Sequence, residues 1–430
     1  MRENRIVVAH PLQQHSYRTA LVLSRINWLF GYATTIYYEK GRFVFKILDK
    51  VLSGSNATRM RARRNEALDK YIVRFNELLG LVYLFIIRLD KNKIIEPLLY
   101  DLLVRKFAIS IFKYIKTKNV SAVVMYDTTA YECFKRLKNS KNNAIKILDM
   151  SSAAAPYIRK IILKEIQTKT PFADSMKLKL KSYTEAKCDR HLKELQDSDY
   201  LFAPSFFVKK SLLYCGVKEE KIINVPYGVD TDYFQQKAYT AKKSSDKLKL
   251  LFVGRVEPAK GIYYLLEALK ELSNINIELT VVGSNQCSVE ELNGYQENVI
   301  FTGPIMKSEM SAVYKSTDVF IMPSLWEGMC LSVLEAMSSG VPVIGSESSG
   351  AETLIINYKN GFVVKACSVK SITEKIRWCN DNRDRLAIMG KNARVVAEKY
   401  SWENYNKTFT SQIRKIVRER SGNPYSGQSN

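Results

Sequence analysis

Residues 324–345 read SLWEGMCLSVLEAMSSGVPVIG, and the pattern of this stretch decides the fold. An apolar run, VFIMPS, leads into it, and a second, VPVIG, closes it. Short apolar runs bounded by Pro, Gly and Ser read as buried strands. Between them the spacing predicts a turn that opens at Glu327 and a short helix that carries Glu335. A strand–turn–helix–strand unit belongs to a parallel sheet, because parallel neighbours need a crossover. Such a unit sets both carboxylates at the carboxyl end of the sheet, where open α/β folds bind ligands. Leu331 and Leu334 stand four and one residues before Glu335, so its helix face is not plainly solvent.

Working outward, the same alternation recurs. Before the quoted stretch come LKLLFVG, the helical YYLLEALKEL, IELTVVG, NVIFTG and the helical SEMSAVYKS. In the first half RIVVAH reads as a strand, TALVLSRINWLF as a helix and ATTIYY as a strand. A charged, helix-rich stretch follows over about 56–118. SAVVMYD and AIKILDM are further strands, each ending in an aspartate, and DYLFAPS and KIINVPYG come next. Strands alternating with helices predict an α/β fold with two doubly wound, mostly parallel sheets. Polar residues 235–247 (QQKAYTAKKSSDK) form the clearest linker. The tail SGNPYSGQSN reads as disordered. No repeat of 20–50 residues is visible.

A chain of 430 residues fits two domains, and 46% apolar with 25% charged residues is an ordinary globular composition. The start, MRENRIVVAHP, lacks the apolar core of a secretory signal. The longest apolar run, Leu78 to Leu89, includes Arg88 and is too short to span a bilayer. It predicts a buried helix. Seven cysteines form no CxxC pair and only three histidines exist, which argues against a structural zinc site and suits a reducing cytosol.

The net charge of +23 is unevenly spread. Residues 1–240 hold 42 Lys+Arg against 23 Asp+Glu, while residues 241–430 hold 24 against 20. Clusters include Arg59, Arg61, Arg63 and Arg64, then Lys135, Arg136, Lys138 and Lys141, then Lys177, Lys179 and Lys181. Each can be a solvated helix face, or together they can meet an anionic surface. A basic residue near an anionic leaflet is worth roughly 1 kcal/mol. No zinc finger or RNP aromatic motif accompanies the charge, so a membrane is favoured over nucleic acid.

Four elements of the second half carry chemistry. In LFVGRVEPAKG, Gly254 is read as permitting a tight turn after the strand. Arg255 and Lys260 then lie beyond the strand end, where they can clamp a diphosphate. VIFTGPI, with Thr302, offers backbone groups to a flat base. The glutamate pair is third: Glu335 can take the hydroxyls of a ribose. Glu327, with the backbone N–H groups of Gly328, Met329, Cys330 and Leu331 at a helix start, can hold sugar hydroxyls and phosphate oxygens. Taken singly, either glutamate can equally be an ordinary turn or helix residue. Fourth is SSGAETLI, where Glu352 reads as an ordinary charge at a helix N-terminus.

The ordered set GRVEPAKG, VIFTGP, EGMCLSVLEAMSSGVPVIGS, GAETLI and NGFVV resembles the retaining glycosyltransferases of the "group 1" family, family 4. VPYGVDTDYF resembles that family's interdomain segment, with Tyr227 where Asn is usual, and YSWENYNKTF its C-terminal crossover. The likeness is strong over about 200–400 and weak but orderly over 1–200. It implies a GT-B fold: two Rossmann-like domains facing across a cleft. Residues 1–234 would bind the acceptor and residues 248–400 the nucleotide sugar, with a helix over about 401–420 returning to the first domain.

The resemblance further implies that Arg255 and Lys260 neutralise a nucleotide-sugar diphosphate, that Glu335 binds ribose and that Glu327 contacts the donor sugar. Met329 and Cys330 stand where many members have Phe-Gly, which leaves the sugar open. The usual glycine loop after the first strand is here HPLQQHSYRTA, with His10 and His15 as candidates. Asp127 (VVMYDTTA) and Asp149 (KILDMSS) are candidates from later strand ends, or simple turn aspartates. His15 and Asp127 would serve catalysis, His10 and Asp149 the acceptor side.

Two DxD pairs, Asp230 with Asp232 and Asp197 with Asp199, invite a metal. They fall inside the interdomain segment and at a helix end, so the expectation is that Arg255 and Lys260 replace a metal and that no cofactor is needed. The expected protein is a cytoplasmic glycosyltransferase, peripheral on the inner face of the membrane. It would act in polysaccharide or lipid-linked glycan assembly. Alternatives are a soluble synthase or epimerase of the same fold, or a non-catalytic basic protein binding membrane or nucleic acid.

Overall fold

The computed structural model describes residues 4–46, 54–90, 95–168, 170–240, 246–295 and 298–420. Linker residues 241–245 and the tail 421–430 lie outside the described residues. Thirteen strands are described: β1 (Ile6–Ala9), β2 (Leu29–Thr34), β3 (Ile72–Arg74), β4 (Ala122–Tyr126), β5 (Ile145–Asp149), β6 (Tyr200–Ala203), β7 (Ile222–Asn224), β8 (Leu248–Val253), β9 (Ile277–Val282), β10 (Val299–Gly303), β11 (Val319–Met322), β12 (Val343–Ser346) and β13 (Gly361–Val364). They form two sheets, ordered β3-β2-β1-β4-β5-β6-β7 and β10-β9-β8-β11-β12-β13. The described pairings are parallel. The α/β expectation therefore holds, twice over. The central strands β1, β4 and β11 are buried along their whole length, as expected of strands covered on both faces.

In each sheet the order reverses next to the first strand, between β1 and β4 and between β8 and β11. Neighbouring crossovers leave such a point in opposite directions, which opens a crevice at the strand ends. The candidate residues follow these strands: His10 and His15 after β1, Asp127 after β4, Arg255 after β8, Glu327 after β11.

The chain forms two compact units. One holds residues 1–149, 189–202 and 409–430; the other holds 150–188 and 203–408. Residues 150–188 and 203–234, read from the sequence as part of the first domain, cluster with the second unit. Ser205 donates its hydroxyl to the Gly328 carbonyl at 2.5 Å, and the Phe207 N–H donates to Glu352 at 2.6 Å. The last helix, Trp402–Arg420, joins the first unit from Phe409 on, where Phe409 meets Phe202 edge to face.

Three sequence expectations are corrected. The helix begun by TALVLSR ends at Arg25: Asn27 turns left-handed at φ 58° and the Trp28 N–H closes on the Leu23 carbonyl. The strand is thus Leu29–Thr34 and not ATTIYY. The helix-rich stretch contains β3, whose three residues were too few to show alternation. The apolar run Leu78–Leu89 is a helix, Glu77–Leu89, but only one face is buried. Leu81 and Leu84 pack on a small cluster of Ile36, Tyr38, Phe45 and Met60, while Leu78, Val82, Phe85 and Leu89 stay exposed. A cluster of this size covers one side of a helix and no more.

Candidate active site

The second unit assembles the donor-side candidates. After β8 the chain passes Gly254 and Arg255, makes a single 3-10 turn over Pro258–Lys260, and enters the helix Ile262–Lys270. Glycine is required at Gly261, with φ +71°, where a Cβ would strike the Pro323 carbonyl. Gly254 itself has ordinary space around it and no positive φ. The tight approach belongs instead to Gly283, whose added Cβ would meet the Gly254 carbonyl. The reading of Gly254 as the turn-maker is therefore corrected.

Pro258–Lys260 brings Lys260 to Glu327: its ammonium pairs with the Glu327 carboxylate, both side chains being 17% exposed. The Ser324 hydroxyl donates to the same Glu327 oxygen at 3.4 Å. Burial lowers the Lys260 pKa, which the neighbouring Glu257 opposes. Arg255, 61% exposed, pairs with Glu257 at 2.9 Å. The other Glu257 oxygen accepts from Lys179 at 3.1 Å. Burial pushes the Glu257 pKa up, but Lys179 and Arg255 more than offset it and hold it below the usual value. Three cations and two carboxylates thus stand together at the ends of β8 and β11.

Sequence reading named Lys179 only within a basic cluster and missed Glu257. Its position, two residues after Arg255, was the one available signal.

Glu335 lies on the helix Leu331–Ser338, half-buried. The Tyr314 hydroxyl donates to it at 2.8 Å. Burial raises the Glu335 pKa; Tyr314 and Lys307 pull the other way. It is no solvated helix residue. The helix begins after Cys330, and Met329 is buried. Of the N–H groups expected to face a ligand, that of Cys330 is already given to the Ser349 carbonyl at 3.2 Å. Cys330 as a backbone donor is thereby corrected. Its Sγ lies 3.0 Å from the Ser332 hydroxyl. A Cβ on Gly328 would meet the Ser151 carbonyl, so only glycine fits there. Leu331 is partly exposed. Thr302 sits on edge strand β10, its hydroxyl turned back to the Val281 and Gly303 carbonyls. Glu352 stands in the first turn of its own short 3-10 helix, as expected, and also accepts the Phe207 N–H at the start of the helix Phe206–Tyr214; burial raises its pKa to about 7.

The first unit gathers a second constellation. His15 Nε2 lies 3.2 Å from Asp149 Oδ2. The rings of His10 and His15 both meet Tyr126 edge-on. His10 is buried; its Nδ1 accepts from the Leu12 N–H at 2.9 Å, which leaves the proton on Nε2, where it has no partner. Burial lowers its pKa to about 4, so it is neutral. His10 anchors the loop, and His15 is the more open of the two. Asp127 is buried, with its N–H on the Asp149 carbonyl at 3.1 Å.

What holds the Asp127 loop is a residue the sequence did not signal. Glu194 accepts the N–H groups of Thr128, Ala130 and Tyr131 at 2.7, 2.6 and 2.9 Å. This fastens a turn in which Thr128 has φ 67°. Burial raises the Glu194 pKa to about 8. The DxD aspartates are engaged elsewhere: Asp197 with Lys138, Asp199 with Lys146, Asp230 with the Tyr233 N–H. Among the described residues no group of three His, Cys, Asp or Glu is placed to hold a metal.

This fold has counterparts among known proteins. Residues 235–396 match the family model described as glycosyl transferases group 1. That segment is similar to the group 1 glycosyltransferases, and the whole chain has the two-sheet GT-B fold of its solved structural neighbours.

Among curated proteins it is similar to the sulfoquinovosyl transferase SQD2 of Arabidopsis thaliana, 29% identical over 50% of this chain and 44% of that protein. It is also similar to the UDP-Gal:alpha-D-GlcNAc-diphosphoundecaprenol alpha-1,3-galactosyltransferase of Escherichia coli, 31% identical over 40% of this chain and 49% of that protein. The chain spans about half the length of the curated relatives it matches. The solved sucrose-phosphate synthase of Thermosynechococcus elongatus superposes with a TM-score of 0.65 at 15% identity, covering 97% of this chain and 100% of that one. That likeness speaks for the fold.

Proposed function

We propose that the protein is a glycosyltransferase that moves a sugar from a nucleoside-diphosphate sugar to an acceptor hydroxyl, with retention of anomeric configuration. The carrying observation is the set Lys179–Glu257–Arg255 and Lys260–Glu327 at the ends of β8 and β11. Here cations are stored against carboxylates, so that an arriving diphosphate takes over Arg255 and Lys260. Glu335 then receives the ribose and Glu327, released, the donor sugar. Thr302, Gly328, Met329 and Leu331 line this donor side, and Met329 and Cys330 set sugar choice.

In the transfer the bond from the anomeric carbon to the β-phosphate oxygen breaks, and the bond to the acceptor oxygen forms on the same face. The acceptor proton passes to the departing phosphate. Charge grows on the leaving oxygen, and Arg255 and Lys260 stabilise it without a metal, as preorganised donors do in other enzymes. His15, with Asp149 and Asp127, attends the acceptor.

The acceptor is read as a lipid-linked glycan at an anionic membrane surface on the cytoplasmic side, in polysaccharide assembly. The basic surplus of residues 1–240 and the acceptor named in the E. coli relative support this. Among the described residues no helix is long and apolar enough to cross a membrane.

Arg255→Ala tests the donor assignment. The side chain is exposed and Glu257 keeps Lys179, so the fold should be unaffected. Transfer should fall by about 10²–10³, the usual loss for one electrostatic donor. A panel of nucleoside diphosphates should raise the melting temperature of the parent protein. A ligand at a hundred times its Kd adds about 2.7 kcal/mol. Near-normal turnover in Arg255→Ala would remove Arg255 from the reaction.

A further inference from the structure

The helix Glu77–Leu89 is apolar on both faces, and its outer face has no cover among the described residues. Leu78, Val82, Phe85 and Leu89, spaced 4, 3 and 4 residues apart, make one stripe along it. Leu78 is 77% exposed, Phe85 62% and Leu89 61%. Isolated exposed leucines need no explanation, but a continuous stripe of large side chains does. The opposite face is fixed: Leu81 and Leu84 pack inward, and Gly80 lies so close to Thr35 that a Cβ would meet its hydroxyl at 2.7 Å. Rotation cannot hide the stripe. Tyr83 joins this helix to the next, Glu96–Lys116, through the Glu96 carboxylate at 2.8 Å. That helix adds Leu98, 71% exposed, and Leu102.

We infer that this pair of helices is the surface by which the protein enters the cytoplasm-facing leaflet of an anionic membrane, with Leu78, Val82, Phe85 and Leu89 among the acyl chains. The inference deepens the membrane-held acceptor proposed above and rests on it. A helix of 13 residues is about 20 Å long, short of the roughly 30 Å hydrocarbon core, so it lies along the interface and does not cross it.

Charge selects the occupant. Residues 40–118 hold 18 Lys+Arg against 7 Asp+Glu. The described acids there are engaged: Glu77 with Arg42, Glu66 and Asp69 with Arg64, Glu96 with Tyr83, Asp101 with Arg190, and Asp90 with the N–H groups of Ile95 and Glu96. A second copy docked on the stripe would bring two basic surfaces together, whereas an anionic leaflet neutralises them.

The test is sedimentation of the whole chain with vesicles of phosphatidylglycerol and phosphatidylcholine in equal parts, beside the double variant Phe85→Ser/Leu89→Ser. Each lost side chain should lower the partition coefficient about tenfold, so the pair should lower it about a hundredfold. The melting temperature and its rise with nucleoside diphosphates should stay unchanged, because both substituted residues are exposed and lie in the first unit. Vesicles of phosphatidylcholine alone should bind the parent more weakly.

Equal partitioning of variant and parent would show that charge alone holds the protein and would overturn the inference. So would a lipid-free dimer that the double variant abolishes, since a second copy would then cover the stripe. A parent that ignores vesicles yet still binds nucleoside diphosphates would end the membrane inference and leave the transferase reading standing.

Discussion

Lys260→Met separates the structural and chemical roles of one ion pair. Lys260 and Glu327 are paired with side chains only 17% exposed. Breaking a fully buried pair by removing one partner costs about 3–5 kcal/mol, while an exposed pair is worth about 0–1 kcal/mol. At this exposure, with Ser324 still holding the Glu327 carboxylate, the loss should be about 2 kcal/mol. For a unit of roughly 250 residues that is a fall of about 4–8 °C in melting temperature.

Glu327→Gln alone should cost a similar amount, because it strands a buried ammonium. The double variant Lys260→Met/Glu327→Gln strands neither charge, so it should cost at least 1 kcal/mol less than the two singles together. The assay is thermal unfolding of the four proteins without ligand, repeated with a nucleoside diphosphate. The diphosphate should lose its effect on Lys260→Met. It should keep or increase it on Glu327→Gln, where the ammonium no longer has a carboxylate to leave. Additive single effects, with a coupling below about 0.5 kcal/mol, would refute the argument that each residue is held by the other.

Two further outcomes follow from other carboxylates. Tyr314→Phe removes the donor to the half-buried Glu335, so unfolding free energy should drop by about 1 kcal/mol; a drop under 0.5 kcal/mol would discount that bond. Stability should also fall as pH rises from 6.5 to 8. Glu194 favours its neutral form when folded, with its pKa raised from 4.5 to about 8, so its contribution is complete below 4.5 and lost as pH rises through 8. Glu352, raised to about 7, acts in the same direction. His10 and His191, lowered to about 4, act oppositely, but their contributions are already complete above 6.5. Melting curves of Glu194→Gln should therefore be flatter over this window, and an unchanged slope would assign the effect elsewhere.

The segment around Glu327 and Glu335 could be read because its constraints are local. A parallel strand must leave the sheet through a turn and return by a helix, and that rhythm is written in consecutive residues. The same holds for VVMYD and KILDM, whose aspartates end their strands as expected. Reading failed where neighbours in space decided the outcome. The segment Leu78–Leu89 has the composition of a buried helix, and nothing local says that the cluster beneath it is too small to cover both faces.

Sequence pattern sets the class of fold, the order of most strands and helices, and which side chains lie at strand ends. Those follow from periodicity and turn chemistry. Tertiary structure alone decided which charges meet. Glu257 and Lys179 are 78 residues apart yet share a hydrogen bond, Glu194 holds a loop more than 60 residues before it, and Lys260 waits on Glu327. Electrostatic pairing depends on distance and burial, and distant segments acquire both only when the chain has folded.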